Sequence, residues 1–423
     1  MGLIAGCAQQ SQAQREDIKI GAVVSLTGVG SNVGKHMLQS AKMAVDEINA
    51  DGGVFVKEYN KKLPITLIEA DDETNGDAGI KAVTKLITQD NVDILVGGYS
   101  SGVTMATRGT VAQYKVPYIV TGASSPDITR KQDVDTSYLF HYCPTTAMYA
   151  EPTMLFTDQV IRPAINERFA FPEDRPLRLA ILYQDSAYGK GVLEGANATI
   201  TGENLKIQIV SKQSFKMGDA DFRTALTAIK AEKPDVIYAA AFPAEQVQIV
   251  LQARREVGLD VIILAVETND APDYYQGIGQ YGEYSIIESR FSPYTTPNSS
   301  IATADLQFKE DYKARWGSFP DMMGISTYEG VYVAAKAIET AGTLDKATVR
   351  DILATFEMPE IAEAMKGGMI RFSPECREVK FELFMEQLIW NAELGECRPK
   401  IVWPDNLKEA DFQLPDWFQP GSS

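Results

Sequence analysis

The chain has 423 residues, 45% of them apolar, which is enough for two domains with sizeable cores and unlike the composition of a disordered chain. Its formal charge of -17, with no local cluster of Lys and Arg, argues against nucleic acid as a partner, because phosphate backbones demand a basic stripe. No run of about eighteen apolar residues occurs, so no membrane-spanning helix is expected.

In chain order, Leu3-Ile4-Ala5-Gly6-Cys7 resembles a bacterial lipobox, in which small residues precede a cysteine that is cleaved and lipidated. Ala8 to Asp17 then has the polar composition of a flexible tether. The expectation is an exported chain, periplasmic or at the cell surface, that touches membrane only through a lipid on Cys7.

Ile18 to Ser25 reads as a buried strand, ending in the glycine-punctuated loop LTGVGSNVG. Lys35 to Asn49 carries Met37, Leu38, Ala41, Ala44, Val45 and Ile48 at helical spacing, and Asp51-Gly52-Gly53 stops it. A strand at Ile65 to Glu69 and a helix at Asp77 to Gln89 follow. Ile94 to Gly97 is a strand that breaks into Gly98, Tyr99, Ser100, Ser101 and Gly102, before a helix at Val103 to Tyr114. Tyr118 to Val120 is another strand, ending in the small polar turn TGASSPD. This β-α series predicts a parallel sheet covered by helices.

A less regular segment, Tyr142 to Arg175, leads into a second copy of the pattern. Strands at Leu177 to Tyr183, Ile207 to Val210, Val236 to Ala240 and Val261 to Ala265 alternate with helices near Gly191 to Thr201, Phe222 to Ala231 and Ala244 to Val257. Later helices at Asp305 to Trp316, Thr327 to Ala341 and Asp345 to Phe356, and strands within Gly368 to Val402, return to complete both layers. The fold class is α/β, with two lobes that are each a Rossmann-like parallel layer, joined by a multi-strand hinge. The division is a tether at 1–17, first lobe at 18–141, second lobe at 142–290, first-lobe return at 291–368 and second-lobe return at 369–423.

In such sheets, ligands lie beyond the carboxyl ends of the strands, where helix N-termini present free N–H groups. Gly98-Tyr99-Ser100-Ser101-Gly102 matches G-x-S-x-G in the strand-turn-helix setting of a hydrolase nucleophile. That class needs a histidine late in the chain, but His36 and His141 are the only two. The turn therefore reads as a hydroxyl-bearing site for an anion, and the protein as a binder and not an enzyme. Gly28, Gly30 and Gly34 miss the spacing of a dinucleotide or phosphate loop, and no spacing for metal ligands exists, so no cofactor or metal is expected. At equivalent strand ends of the second lobe, Tyr188, Phe242 and Glu267 offer aromatic walls and an acid. Of four cysteines, Cys376 and Cys397 are candidates to pair across a C-terminal hairpin if Cys7 is lipidated, leaving Cys143 free or buried.

The order SLTGVGSNVGK, AVDEINADGGV, GGYSSG, VPYIVTGASSPDI, YQDSAYGKG and AVETND resembles the Leu/Ile/Val-type solute-binding proteins of ABC importers, of type I periplasmic-binding fold. The resemblance implies a monomer that closes two lobes on a free amino acid and delivers it to importer membrane subunits. It implies that Ser101, beside Tyr99 and Ser100, and the backbone of Gly122, Ala123 and Ser124 hold the α-carboxylate. Tyr188 and Glu267 would meet the ammonium, and Val33 and Phe242 would line the remaining space, giving a wall suited to an apolar or aromatic side chain. Alternatives on the same fold are a binder of amine-free organic acids, aromatic or keto, and a ligand-sensing subunit.

Overall fold

A computed structural model describes residues 15–421, so the lipobox and Cys7 lie outside the described residues. The first lobe contains β1 (Ile18–Val24), a small hairpin of β2 (Val54–Val56) and β3 (Lys61–Leu63), then β4 (Ile65–Asp71), β5 (Ile94–Gly97), β6 (Tyr118–Val120) and β7 (Leu139–His141). Apart from the hairpin, these strands form one parallel sheet in the order β4-β1-β5-β6-β7. Every residue of β5, β6 and β7 is buried, as expected of parallel strands with helices on both faces.

The helix Ser31–Ala50 turns Met37, Leu38, Ala41, Ala44, Val45 and Ile48 inward. It ends where Gly53 N–H reaches back to Ile48 O at 2.9 Å, with both glycines at positive φ, a conformation that costs a residue without Cβ little. A late helix, Met322–Ala341, lies along it and completes the first lobe. Ala334, Ala335 and Ala337 are buried there, and their small side chains let the helix pack closely.

The second lobe carries β8 (Leu177–Gln184), β9 (Ile207–Phe215), β10 (Val236–Ala240), β11 (Ile262–Ala265) and β12 (Ile286–Ser289), all parallel. After the hairpin of β13 (Glu357–Pro359) and β14 (Met369–Arg371), the strands β15 (Phe384–Asn391) and β16 (Glu396–Trp403) add antiparallel to this sheet. The order is β16-β15-β12-β11-β10-β8-β9.

The chain passes between the sheets three times, after His141, after Ser289 and between Val379 and Phe384. The third passage comes later than a boundary at 368/369, because Arg377 O accepts from His141 N at 2.8 Å and Val379 N donates to His141 O at 3.0 Å, holding this segment on the first sheet. The same register corrects the expected Cys376–Cys397 disulfide. Cys376 sits at the edge of the first sheet, whereas Cys397 lies in β16 of the second, with its thiol on Gly279 O at 3.2 Å. Both are free thiols, as is buried Cys143.

The segment 142–175, read as irregular, contains helices Thr146–Phe156 and Arg162–Arg168 joined through a π-helical stretch, Thr157–Ile161. Pro152 inside the first helix and the extra residue per turn of the π stretch break the 3.6-residue apolar rhythm that would have marked a helix.

Candidate ligand site between the lobes

The first jaw of the site is made by the turns after β5 and β6. Gly97 and Gly98 take φ of +117° and +80°, and a Cβ on Gly97 would stand 2.2 Å from Val23 O, so only glycine lets the strand turn this sharply into the helix Ser101–Tyr114. That turn delivers Ser101 to the mouth of the second turn, where its Oγ accepts from the backbone N–H groups of Ser124 and Ser125, each at 3.1 Å. With its acceptor side filled, the Ser101 hydroxyl proton is the part left to donate. Gly122 packs so closely that a Cβ would meet Gly98 O at 3.1 Å and Tyr99 Cα at 3.3 Å.

The second jaw comes from the ends of β8, β10 and β11. Tyr188, Phe242 and Glu267 all converge there, with Tyr149 and Thr268 beside them and Met323 facing them from the first lobe. Phe242 sits between two rings, with its centroid 4.7 Å from that of Tyr99 and 5.7 Å from that of Tyr188. Tyr99 Oη and Thr268 Oγ1 form a hydrogen bond of 2.9 Å across the cleft. The lobes are thus in contact, and the enclosed cavity is about 10 Å³, room for about one water molecule.

Of the residues expected to line the site, Tyr99, Ser101, Gly122, Ser124, Tyr188, Phe242 and Glu267 do so. Val33, Ser100 and Ala123 do not. Val33 lies in the helix Ser31–Ala50 and packs into the core. Ser100 is buried as the residue that caps the start of the next helix, its carbonyl accepting from Thr104 N at 2.9 Å. Ala123 faces the core, and its N–H already donates to Gly98 O at 2.8 Å. Among the described residues, neither histidine is hydrogen-bonded to Ser100 or Ser101. The His36 ring bonds Tyr312 Oη at 2.7 Å, and the His141 ring bonds Ala123 O at 2.6 Å.

Glu267 is fully buried and already has partners. Its Oε1 accepts from Tyr149 Oη at 2.5 Å, and its Oε2 is ion-paired with Arg290. Burial pushes this carboxyl above the ordinary glutamate range, with Arg290 and Tyr149 pulling against the shift. Glu288 lies next to it, accepting from Glu267 N at 3.2 Å, and burial together with the charge of Glu267 raises it further. Burial also holds the Tyr99, Tyr149 and Tyr188 hydroxyls far above their usual range, so they are neutral donors, and Tyr188 Oη has no hydrogen-bond partner among the described residues.

Tyr149, Thr268, Met323 and Arg290 were not anticipated. Thr268 directly follows Glu267 and shares its turn, which was a usable signal. Tyr149 was hidden in the segment with the broken rhythm, and Arg290 is a single basic residue after a buried strand.

The sequence comparisons agree with this architecture. A Leu/Ile/Val-binding protein homolog 7 of Brucella suis is 25% identical over 419 residues, covering 98% of this chain and 97% of that protein. Among solved structures, the branched-chain amino acid transporter substrate binding protein LivJ from Streptococcus pneumoniae, in complex with isoleucine, superposes with a TM-score of 0.74 at 23% identity, over 92% of this chain and 100% of that one. A solute binding protein of an ABC transporter from Rhodopseudomonas palustris, in complex with 3,4-dihydroxy benzoic acid, does so with a TM-score of 0.74 at 19% identity, over 93% and 99%. The family model described as periplasmic binding protein matches residues 17–379, and with two wound lobes closing on a polar cleft, the chain belongs to the periplasmic binding protein family.

Proposed function

We propose that this chain is the extracytoplasmic solute-binding protein of an ABC importer and captures a free amino acid with an apolar or aromatic side chain. The observation that carries the reading is Ser101, whose oxygen is filled by two backbone donors and whose proton is therefore available to a ligand carboxylate at the cleft. Glu267 with Tyr188 supplies the opposite, ammonium-binding end, and Phe242 with Met323 supplies apolar walls. The relatives named for leucine, isoleucine and valine support the same class. Working as a monomer, the chain would hand its ligand to importer membrane subunits while tethered through Cys7.

A second reading, an amine-free aromatic or keto acid, is favoured by one observation: Glu267 is already ion-paired with Arg290. A thermal-shift screen of amino acids and small organic acids separates the two. Ligand at 100 times its Kd stabilises by about 2.7 kcal/mol, so apolar or aromatic amino acids are expected to raise Tm clearly. No shift with any amino acid or organic acid would defeat the solute-binding reading.

A further inference from the structure

Behind the cleft runs a series of buried charges that the ligand-binding turns do not explain. Arg290 follows β12 at the second passage between lobes, and its side chain is wholly buried. Its guanidinium pairs with Glu267, donates from Nε to Glu363 Oε1 at 2.7 Å and donates from Nη2 to Ser326 Oγ at 2.8 Å. Glu267 belongs to the second lobe, and Ser326 to the first-lobe helix Met322–Ala341. The loop bearing Glu363 is fixed to that helix, since Glu329 Oε1 accepts the N–H groups of residues 361–363 at 3.0, 2.6 and 2.7 Å. Lys366 Nζ ends the series, 3.1 Å from Glu329 Oε2 and 3.5 Å from Glu363 Oε2.

The series thus holds three carboxylates and two cations, all out of contact with water. Counted as ionised, it is one positive charge short, and its end in the cleft is Glu267, beside which lies a further buried carboxyl, Glu288, raised above the ordinary glutamate range by burial and by the charge of Glu267. Tyr149 lends that carboxylate a hydrogen bond but no charge. A buried carboxylate without a full counter-charge is unfavourable, and a ligand amine at the cleft is placed to supply what is missing.

We propose that Arg290 is a specificity-determining residue: by sharing its charge between Glu267 and Glu363, it sets how strongly the cleft requires a positively charged amine on the ligand. The proposal rests on the solute-binding reading above. With Arg290 in place, Glu267 is partly neutralised, so an amine-free acid of the same carbon skeleton is tolerated to a degree. Without it, Glu267 faces the ligand with no cation of its own, and the amine becomes essential. Weakening the competing partner Glu363 has the opposite effect, because Arg290 then serves Glu267 more fully.

The test is titration calorimetry of the purified chain with leucine and with 4-methylpentanoate, which is leucine without its amine; phenylalanine and 3-phenylpropanoate form a second pair. In Arg290→Met, the affinity ratio of amino acid to amine-free acid is expected to rise about tenfold or more, since a hydrogen bond to a charged group is worth about that factor. In Arg290→Lys it should stay near the wild-type ratio, and in Glu363→Gln it should fall. A folded Arg290→Met with an unchanged ratio overturns the proposal. Should that variant fail to fold, a ratio in Glu363→Gln that is unchanged or higher overturns it equally. Wild-type protein that binds no member of either pair, nor any compound in the thermal screen, defeats the solute-binding reading itself.

Discussion

Replacing Ser101 by alanine tests the carboxylate-binding jaw directly. In the wild type, the Ser101 oxygen accepts two N–H groups, from Ser124 and Ser125, at 3.1 Å each, and its proton is free to donate. A hydrogen bond to a charged group contributes about 1.5–3 kcal/mol, or roughly 10- to 150-fold in Kd. Ser101→Ala removes that donor but also releases the two N–H groups, which can turn partly toward the same carboxylate. The loss is therefore expected at the lower end, about tenfold. The ligand-free protein should also be less stable, by about 1–3 kcal/mol for a buried donor left without an acceptor. Calorimetry with leucine and urea denaturation without ligand measure the two effects separately. If stability falls while affinity stays within about threefold of wild type, Ser101 only fixes the turn and the proposed carboxylate contact is wrong.

Other outcomes follow from buried groups elsewhere. Asp321 caps the helix Met322–Ala341, accepting from Gly324 N at 2.7 Å, and burial raises its carboxyl from 3.8 to about 6 despite the pull of His36 and that N–H. The folded state thus holds this proton more tightly than the unfolded one, so Asp321 contributes stability at low pH that is lost as pH rises from about 4 to about 6, up to roughly 3 kcal/mol. Asp321→Asn keeps a capping side chain, and the wild-type minus variant stability, measured by urea denaturation, should fall across that window; a difference independent of pH would refute this. Gly34→Ala would set a Cβ 1.8 Å from Ser25 O, a backbone atom that cannot swing aside, forcing the first helix off β1. A loss above about 3 kcal/mol is expected, and a change within about 1 kcal/mol would contradict the close approach.

The order of strands and helices was legible because both sheets are parallel and buried on two faces, so strands such as Ile94–Gly97 and Val236–Ala240 read as short apolar runs between helical periods. The cleft was legible for the same reason: its residues had to follow strand ends, and Ser101, Gly122, Tyr188, Phe242 and Glu267 do. Val33 falls outside the cleft because the helix begins at Ser31, two residues before it, and carries its side chain into the core. Arg290 could not be read, since its partners Glu267, Ser326 and Glu363 are spread along the chain and meet it only through tertiary packing. Nor could the separation of Cys376 from Cys397, which depends on where the third passage between lobes falls.

The threefold passage of the chain also orders its folding. The strands of the first sheet leave the ribosome early, yet the helix Met322–Ala341 that lies on Ser31–Ala50 is made only after most of the second lobe. Until then, Ser31–Ala50 covers β1 and β4 but β5 and β6 lack the helix that packs on them, so that lobe cannot reach its final packing. Such long-range closure is slow compared with local helix or hairpin formation. For a protein of an extracytoplasmic family, the delay favours an extended chain that can still be threaded across a membrane over a compact one that cannot.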